Sequence, residues 1–266
     1  MSEEVNCLLS HYIKEGVVEV LPWKLDMDSQ KEIRTEGLFA ALNDCLYRNM
    51  NSFKYLMLID MDELIIPYQN MTLVEMLADL ETRNLIQAGK PVSPSQVSSY
   101  SFQNAFFYLQ WPDDPTFLTN PPLTLLLKTR RKHKLHPPKQ RSKYICLPSN
   151  VKEAGNHFIW EFHRGKTANV PASYGLLHHY RVCEFGGEEK REGLFWQGLK
   201  LQLIILKYLF PGDDCVKNES VEDVRIPSTY GLTLLTRVRE RMKQSKCSFL
   251  SIKTQTQGET DGEDFL

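Results

Sequence analysis

The chain has 266 residues, enough to bury a full core in one large domain or two small ones. Apolar residues make up 42% and charged residues 24%, with 32 Lys plus Arg against 33 Asp plus Glu; this is the balance of a soluble globular protein and lacks the net basic signature of a nucleic-acid binder. No transmembrane helix is expected, because the most apolar helical stretch, Leu194 to Phe210, is broken by Gln197, Lys200, Gln202 and Lys207, and no signal peptide is recognisable at Met1.

In chain order, Gly16-Val-Val-Glu-Val-Leu-Pro-Trp23 predicts a short strand after a glycine turn. Ser29-Gln-Lys-Glu32 is a capping box that predicts a helix to about Asn49, with Ile33, Leu38, Ala41, Leu42, Cys45 and Leu46 as its apolar face. Tyr55 to Ile59 is an apolar run of the kind that suits a strand buried on both faces of a parallel sheet. Thr72-Leu-Val-Glu75 is a second capping box and opens a helix to about Thr82. This strand and helix alternation is that of an α/β domain. Pro91 to Ser101, rich in Pro, Ser and Gln, reads as a loop.

Short strands are expected over Leu123–Leu127, Tyr144–Leu147, Phe158–Trp160 and Leu176–Tyr180, then amphipathic helices over 192–210 and from about Leu232 to Met242. The polar stretch beyond Ser245 predicts a disordered tail over 246–266, leaving 1–245 as one domain.

The chemistry concentrates in Tyr55-Leu-Met-Leu-Ile-Asp60-Met-Asp62-Glu63-Leu-Ile-Ile-Pro67. Two carboxylates spaced i, i+2 at the end of an apolar strand stand where open α/β sheets bind ligands. Together they can hold a hard divalent cation, and through it a diphosphate. A phosphotransferase of the haloacid-dehalogenase type also opens with Asp-x-Asp, but it wants Thr or Val two residues beyond the second Asp, where this chain has Leu64. The basic run from Lys128 to Lys134, continuing to Lys139, Arg141 and Lys143, is either a solvated loop or an electropositive rim for a diphosphate.

Phe102, Phe106, Phe107, Tyr108 and Trp111 are core aromatics or a sugar platform. The six cysteines contain no CxxC pair, which argues against zinc and leaves free thiols or disulfides open. The sequons Asn70-Met-Thr72 and Asn218-Glu-Ser220 tilt that choice toward a secretory lumen.

Ile59 to Pro67 resembles the core segment of glycosyltransferase family 92. Tyr12 to Trp23, Ala41-Leu-Asn-Asp44-Cys45-Leu-Tyr-Arg48, Lys143-Tyr-Ile-Cys-Leu-Pro148 through Val151 and His157, and Leu176-Leu-His-His179-Tyr180-Arg181 resemble further segments of that family, in its order. The resemblance spans roughly residues 10 to 210. It implies an α/β, GT-A-like fold, a Rossmann-type mixed sheet flanked by helices. It implies an inverting, Mn²⁺-dependent transfer of a hexose, galactose from UDP-galactose, to a glycan acceptor in the Golgi lumen.

By position, Asp62 would coordinate the metal and Asp60 would hold its water shell or the donor ribose, with His179 as a further ligand in competition with His178. Lys143, His157 and Arg181 would contact phosphate or acceptor, and Asp44 would approach the nucleotide. Asp113, Asp114 and Glu161 are the candidates for the general base that the acceptor hydroxyl needs. Family members carry earlier strands that bind uridine, and a membrane anchor before them, so the resemblance also implies a domain lacking its first strands. The alternative is then a catalytically inactive glycan- or protein-binding module.

Overall fold

The structure is a computed structural model that describes residues 3–23, 25–26, 32–87, 90–183 and 219–244. The described residues divide into two compact units, one drawn from Met1–Pro22, Thr119–Pro121 and Leu232–Leu266, the other from Trp23–Leu118 and Pro122–Gly231.

In the smaller unit, helix α1 (Glu3–Lys14) ends at Gly16, whose φ of 71° is open to glycine without steric cost. The Val17 N–H closes onto the Tyr12 carbonyl at 3.1 Å. Arg241 pairs with Glu15 and covers the Tyr12 ring at 4.7 Å. The strand expected over Gly16–Trp23 does not form. Residues 17–23 pair with no strand among the described residues, and Val17, Val20, Leu21 and Trp23 are exposed. Alternating valines favour extended backbone, but a strand needs a partner edge to complete its hydrogen bonds.

The larger unit begins with α2 (Leu38–Asn49). Gly37 stands before it with φ 73°, so the helix starts there and not soon after the expected box at Ser29, which lies outside the described residues. Then follow β1 (Leu56–Leu58), β2 (Glu63–Pro67) and α3 (Leu73–Leu80). The second capping box is formed as expected: Thr72 Oγ1 accepts from the Glu75 N–H at 3.2 Å and Glu75 Oε2 accepts from the Thr72 N–H at 3.0 Å.

The following strands are β3 (Leu85–Gln87), β4 (Lys90–Val92), β5 (Val97–Phe102) and β6 (Asn104–Tyr108). Residues Pro91 to Ser101 are thus largely strand and not a loop. Ser98, Ser99 and Ser101 are buried by the neighbours of β5, a tertiary effect that overrides their local preference for turns. Leu123–Leu127 likewise forms a helical turn, α4 (Thr124–Leu127), in place of a strand.

Next come β7 (Arg130–Lys132), β8 (Lys143–Cys146), β9 (Val151–Ala154), β10 (Ile159–Phe162), β11 (Lys166–Asn169) and β12 (Gly175–Arg181). The described chain resumes with β13 (Ser220–Glu222) and α5 (Arg225–Gln244), which starts earlier than expected. The helix expected over 192–210, the tail 246–266 and the sequon at Asn218 lie outside the described residues.

Two sheets position the site. One has the order β1-β8-β5-β11 and the other β2-β12-β6. Pairing is mixed: β11 with β5 and β12 with β6 are parallel, whereas β1 with β8, β5 with β8 and β2 with β12 are antiparallel. The apolar run after Tyr55 therefore pairs in an antiparallel ladder, and Met57 is partly exposed, in contrast to the expected parallel core strand. Ile65, Leu77, Phe102, Ile145 and Leu177 form the main core with α3 packed on it. Leu46 of α2 seals a second cluster with Leu58, Tyr144, Cys146 and Val151. The aromatics Phe102, Phe106, Phe107 and Tyr108 are all buried, which is the core reading of that patch.

Candidate functional site

The chain leaves β1 and makes a tight turn through Asp60, Met61 and Asp62 before entering β2. The Glu63 N–H donates to the Asp60 carbonyl at 3.1 Å, and the Asp60 N–H donates to Glu63 Oε2 at 3.1 Å, so the turn is closed from both sides. The Tyr180 N–H donates to the Asp62 carbonyl at 2.9 Å and ties the turn to β12. Met61 at the tip is 91% exposed, while the Asp60 and Asp62 side chains are about half exposed, at 51% and 50%.

Under the turn lies a buried polar layer. Lys143, the first residue of β8, is 1% exposed, and its Nζ lies 3.1 Å from Asp60 Oδ2, 3.5 Å from Glu63 Oε2 and 2.6 Å from Asn156 Oδ1. Burial pushes the Glu63 carboxyl above its usual range, opposed by the Asp60 N–H and by the Lys143 charge.

The antiparallel register of β12 on β2 sets His179 opposite Glu63 and His178 opposite Leu64. Successive residues of a strand face opposite sides, so the two histidines part company. His179 Nε2 lies 3.1 Å from Asp62 Oδ2, and its Nδ1 lies 3.4 Å from Glu63 Oε1 and 3.2 Å from Asn104 Nδ2. Its ring packs edge-on against Phe106 at 5.2 Å. Burial lowers the His179 pKa, opposed by Asp62, and so favours the neutral ring that a cation ligand needs.

His178 faces the other way into a closed cluster. Tyr68 Oη donates to Asp223 and lies 2.7 Å from His178 Nε2, and Arg131 Nε donates to Asp223 Oδ2 at 3.0 Å. His178 is fully buried, and burial brings its pKa down to about 4.

The structure thus brings together Asp60, Asp62, His179 and Lys143 of the residues expected from the sequence. His157 stands nearby, with Nδ1 3.3 Å from the Ser142 carbonyl and Nε2 3.5 Å from the Asn156 amide; burial, then the Lys143 charge, lowers its pKa. Arg181 ends β12 with its guanidinium 4.8 Å from the centre of the Phe106 ring. The other candidates have partners elsewhere. Asp44 pairs with Arg48 on α2 at 2.7 Å, Asp113 with Lys128 at 2.6 Å, and Glu161 with Lys152 at 2.7 Å across the β9–β10 hairpin. Asp114 accepts from the Thr116 N–H at 2.9 Å and from Thr129 Oγ1 at 2.9 Å.

The basic run disperses in the same way: Arg130 meets Ser220, Arg131 meets Asp223, and Lys139 and Arg141 lie over the Phe158 and Phe106 rings. Glu63 and Asn104 are site residues that sequence reasoning passed over. The signal for Glu63 was the acid itself, standing directly after Asp62 at the mouth of an apolar strand; Asn104 had none.

A nitrogen and an oxygen 3.1 Å apart have the spacing of neighbouring ligands on an octahedral cation with bonds of about 2.1 Å. Among the described residues, no group of three or more His, Cys, Asp or Glu side chains is arranged to hold a metal ion. The pair fits a small divalent cation bound by few protein groups, with water and phosphate oxygens completing its shell. Imidazole with carboxylate is also a donor set that accepts Mn²⁺.

A search of curated proteins finds no match to the chain. The profile described as Glycosyltransferase family 92 matches residues 1–211. The mixed sheets flanked by helices are consistent with a glycosyltransferase fold, and the match shows that the chain belongs to glycosyltransferase family 92.

Proposed function

We propose that this glycosyltransferase is metal-dependent and inverting, and that it moves galactose from UDP-galactose to a glycan acceptor. The observation that supports metal dependence is Asp62 Oδ2, on the exposed turn after β1, standing 3.1 Å from His179 Nε2 of β12; the inverting course and the galactose donor rest on the resemblance to the family. Asp62 and His179 would hold Mn²⁺. The chemistry such a cation supplies is neutralisation of the departing diphosphate.

The chain's own groups do the rest. Lys143 holds Asp60 by one oxygen, which leaves the other for the donor ribose or for cation-bound water. Arg181 and His157 border the turn and suit phosphate or acceptor contacts. An acceptor hydroxyl attacking from the face opposite the diphosphate must lose its proton to a carboxylate, drawn from Asp113, Asp114 and Glu161. Asp44 stands on α2, open to solvent beside Arg48 and available to the nucleotide.

Among the described residues no helix is long and apolar enough to cross a membrane. Cys7 and Cys183 are each disulfide-bonded, which supports residence in an oxidising secretory compartment such as the Golgi lumen.

Titration calorimetry of UDP-galactose, with and without Mn²⁺, tests the proposal on this chain and on Asp62→Ala. Binding that needs Mn²⁺ and is lost in the variant is the expected result. UDP-glucose and UDP-N-acetylglucosamine as competitors test the sugar, and the anomeric configuration of the product tests inversion. A folded wild-type chain that binds no nucleotide sugar in Mn²⁺ would overturn the proposal in favour of a non-catalytic binding module.

A further inference from the structure

The two oxygens of Glu63, a residue only 2% exposed, face different neighbours. Oε2 accepts from the Asp60 N–H at 3.1 Å and lies 3.5 Å from Lys143 Nζ, while Oε1 lies 3.4 Å from His179 Nδ1. The same ring nitrogen lies 3.2 Å from Asn104 Nδ2, which also donates to the Arg141 carbonyl at 3.0 Å. His179 Nδ1 therefore sits between an acceptor, Glu63, and a donor, Asn104. On the far side of the ring, Nε2 lies 3.1 Å from Asp62 Oδ2.

A neutral imidazole carries one ring hydrogen and can place it on either nitrogen. With the hydrogen on Nε2, His179 donates to Asp62, and Nδ1 accepts from Asn104. With the hydrogen on Nδ1, the ring donates to Glu63, and Nε2 turns a lone pair toward the side of Asp62. Only the second arrangement lets Nε2 ligate a cation. The distances favour the first arrangement before a cation arrives, since it makes two bonds at 3.1 and 3.2 Å, whereas Glu63 Oε1 stands at 3.4 Å and must draw closer to accept from Nδ1.

We propose that Glu63 and Asn104 make His179 a tautomer switch: cation binding moves the ring hydrogen from Nε2 to Nδ1, where Glu63 accepts it. One hydrogen leaves and one arrives, so the ring stays neutral throughout. The inference rests on the metal-dependent reading above. Glu63 is then a positioning residue that acts through His179.

Glu63→Gln isolates this role at constant shape. Asp60 N–H and Lys143 Nζ are both donors, so the amide oxygen must take the Oε2 place and the amide NH₂ the Oε1 place. Nδ1 of His179 then faces donors from both sides, and its hydrogen is confined to Nε2.

The experiment is ¹⁵N NMR of the full chain with labelled histidine, with UDP and diamagnetic Mg²⁺ as the loading probe. Calorimetry with Mn²⁺ and UDP gives the affinity. The wild type should show His179 with hydrogen on Nε2 before loading and on Nδ1 after it. Glu63→Gln should keep it on Nε2 and bind Mn²⁺ roughly 10–100-fold more weakly. Cation binding with an unmoved tautomer in the wild type overturns the switch while leaving the metal-dependent reading intact. So does a Glu63→Gln chain that binds Mn²⁺ as tightly as the wild type. No cation binding by the wild type overturns both. The wild-type spectra decide the matter even if the variant does not fold.

Discussion

Lys143 Nζ lies 3.1 Å from Asp60 Oδ2 across the boundary between core and solvent, with the lysine 1% exposed and the aspartate 51%. All three Nζ hydrogens have an acceptor within reach: Asp60, Glu63 and the Asn156 amide oxygen. The lysine thus carries a charge built into the floor of the site, and it neutralises a buried acid while steering an exposed one.

Lys143→Met keeps the length of the side chain and removes the charge. Glu63 would then be buried without its cation, a situation that typically costs about 3–5 kcal/mol. Urea unfolding should show a loss of that order. A loss below about 1 kcal/mol would mean that Glu63 does not depend on Lys143.

Asp113→Ala and Glu161→Ala each break an ion pair with an exposed acid, and their stability losses should stay within about 1 kcal/mol. Asp114→Ala removes the cap of the turn at Pro115–Phe117 and should cost about 1 kcal/mol. Against these small losses, a general base stands out as a fall in kcat of roughly 10²–10⁴-fold. If all three variants keep wild-type kcat, the base is some other group.

His178 makes stability pH-dependent. Its pKa is about 4 in the fold against an ordinary 6.5, because burial disfavours the charged ring. Its Nε2 hydrogen is directed at Tyr68, and among the described residues Nδ1 has no hydrogen-bond partner to receive a second one. As pH falls below 6.5 the unfolded chain takes up a proton that the folded chain refuses until about 4. The stabilising contribution is therefore present above pH 6.5 and is lost as pH falls through that window, by about 3 kcal/mol in all. Denaturant midpoints at pH 7 and pH 4 should differ accordingly, and the difference should shrink by that amount in His178→Gln. An unchanged slope in the variant would show that other groups set it.

Gly165 has φ 79°, and a Cβ there would come within 2.1 Å of Ser98 Oγ and 3.1 Å of the Gln96 carbonyl. Gly165→Ala combines a left-handed backbone with a clash against a buried serine. A loss of about 2 kcal/mol in thermal or urea unfolding is expected. A neutral substitution would mean that the β10–β11 connection relaxes freely.

Local signals in the sequence determined much of this protein. Thr72 and Glu75 form their capping box because the motif needs only adjacent residues. The apolar segments at Tyr144, Phe158 and Leu176 become strands, and Asp60 and Asp62 stand at the end of one, because these are matters of periodicity and polarity along the chain. Only the tertiary structure decided what those segments meet. Val17 to Trp23 have the composition of a strand and no partner edge among the described residues; Ser98, Ser99 and Ser101 have the composition of a loop and are enclosed by a sheet. The choice between His178 and His179 shows the reason most directly. The residues are chemically identical neighbours, and the register of β12 on β2 turns one toward Asp62 and the other into the Tyr68–Asp223 cluster. A slip of one residue would exchange them, and register depends on residues more than a hundred positions away along the chain.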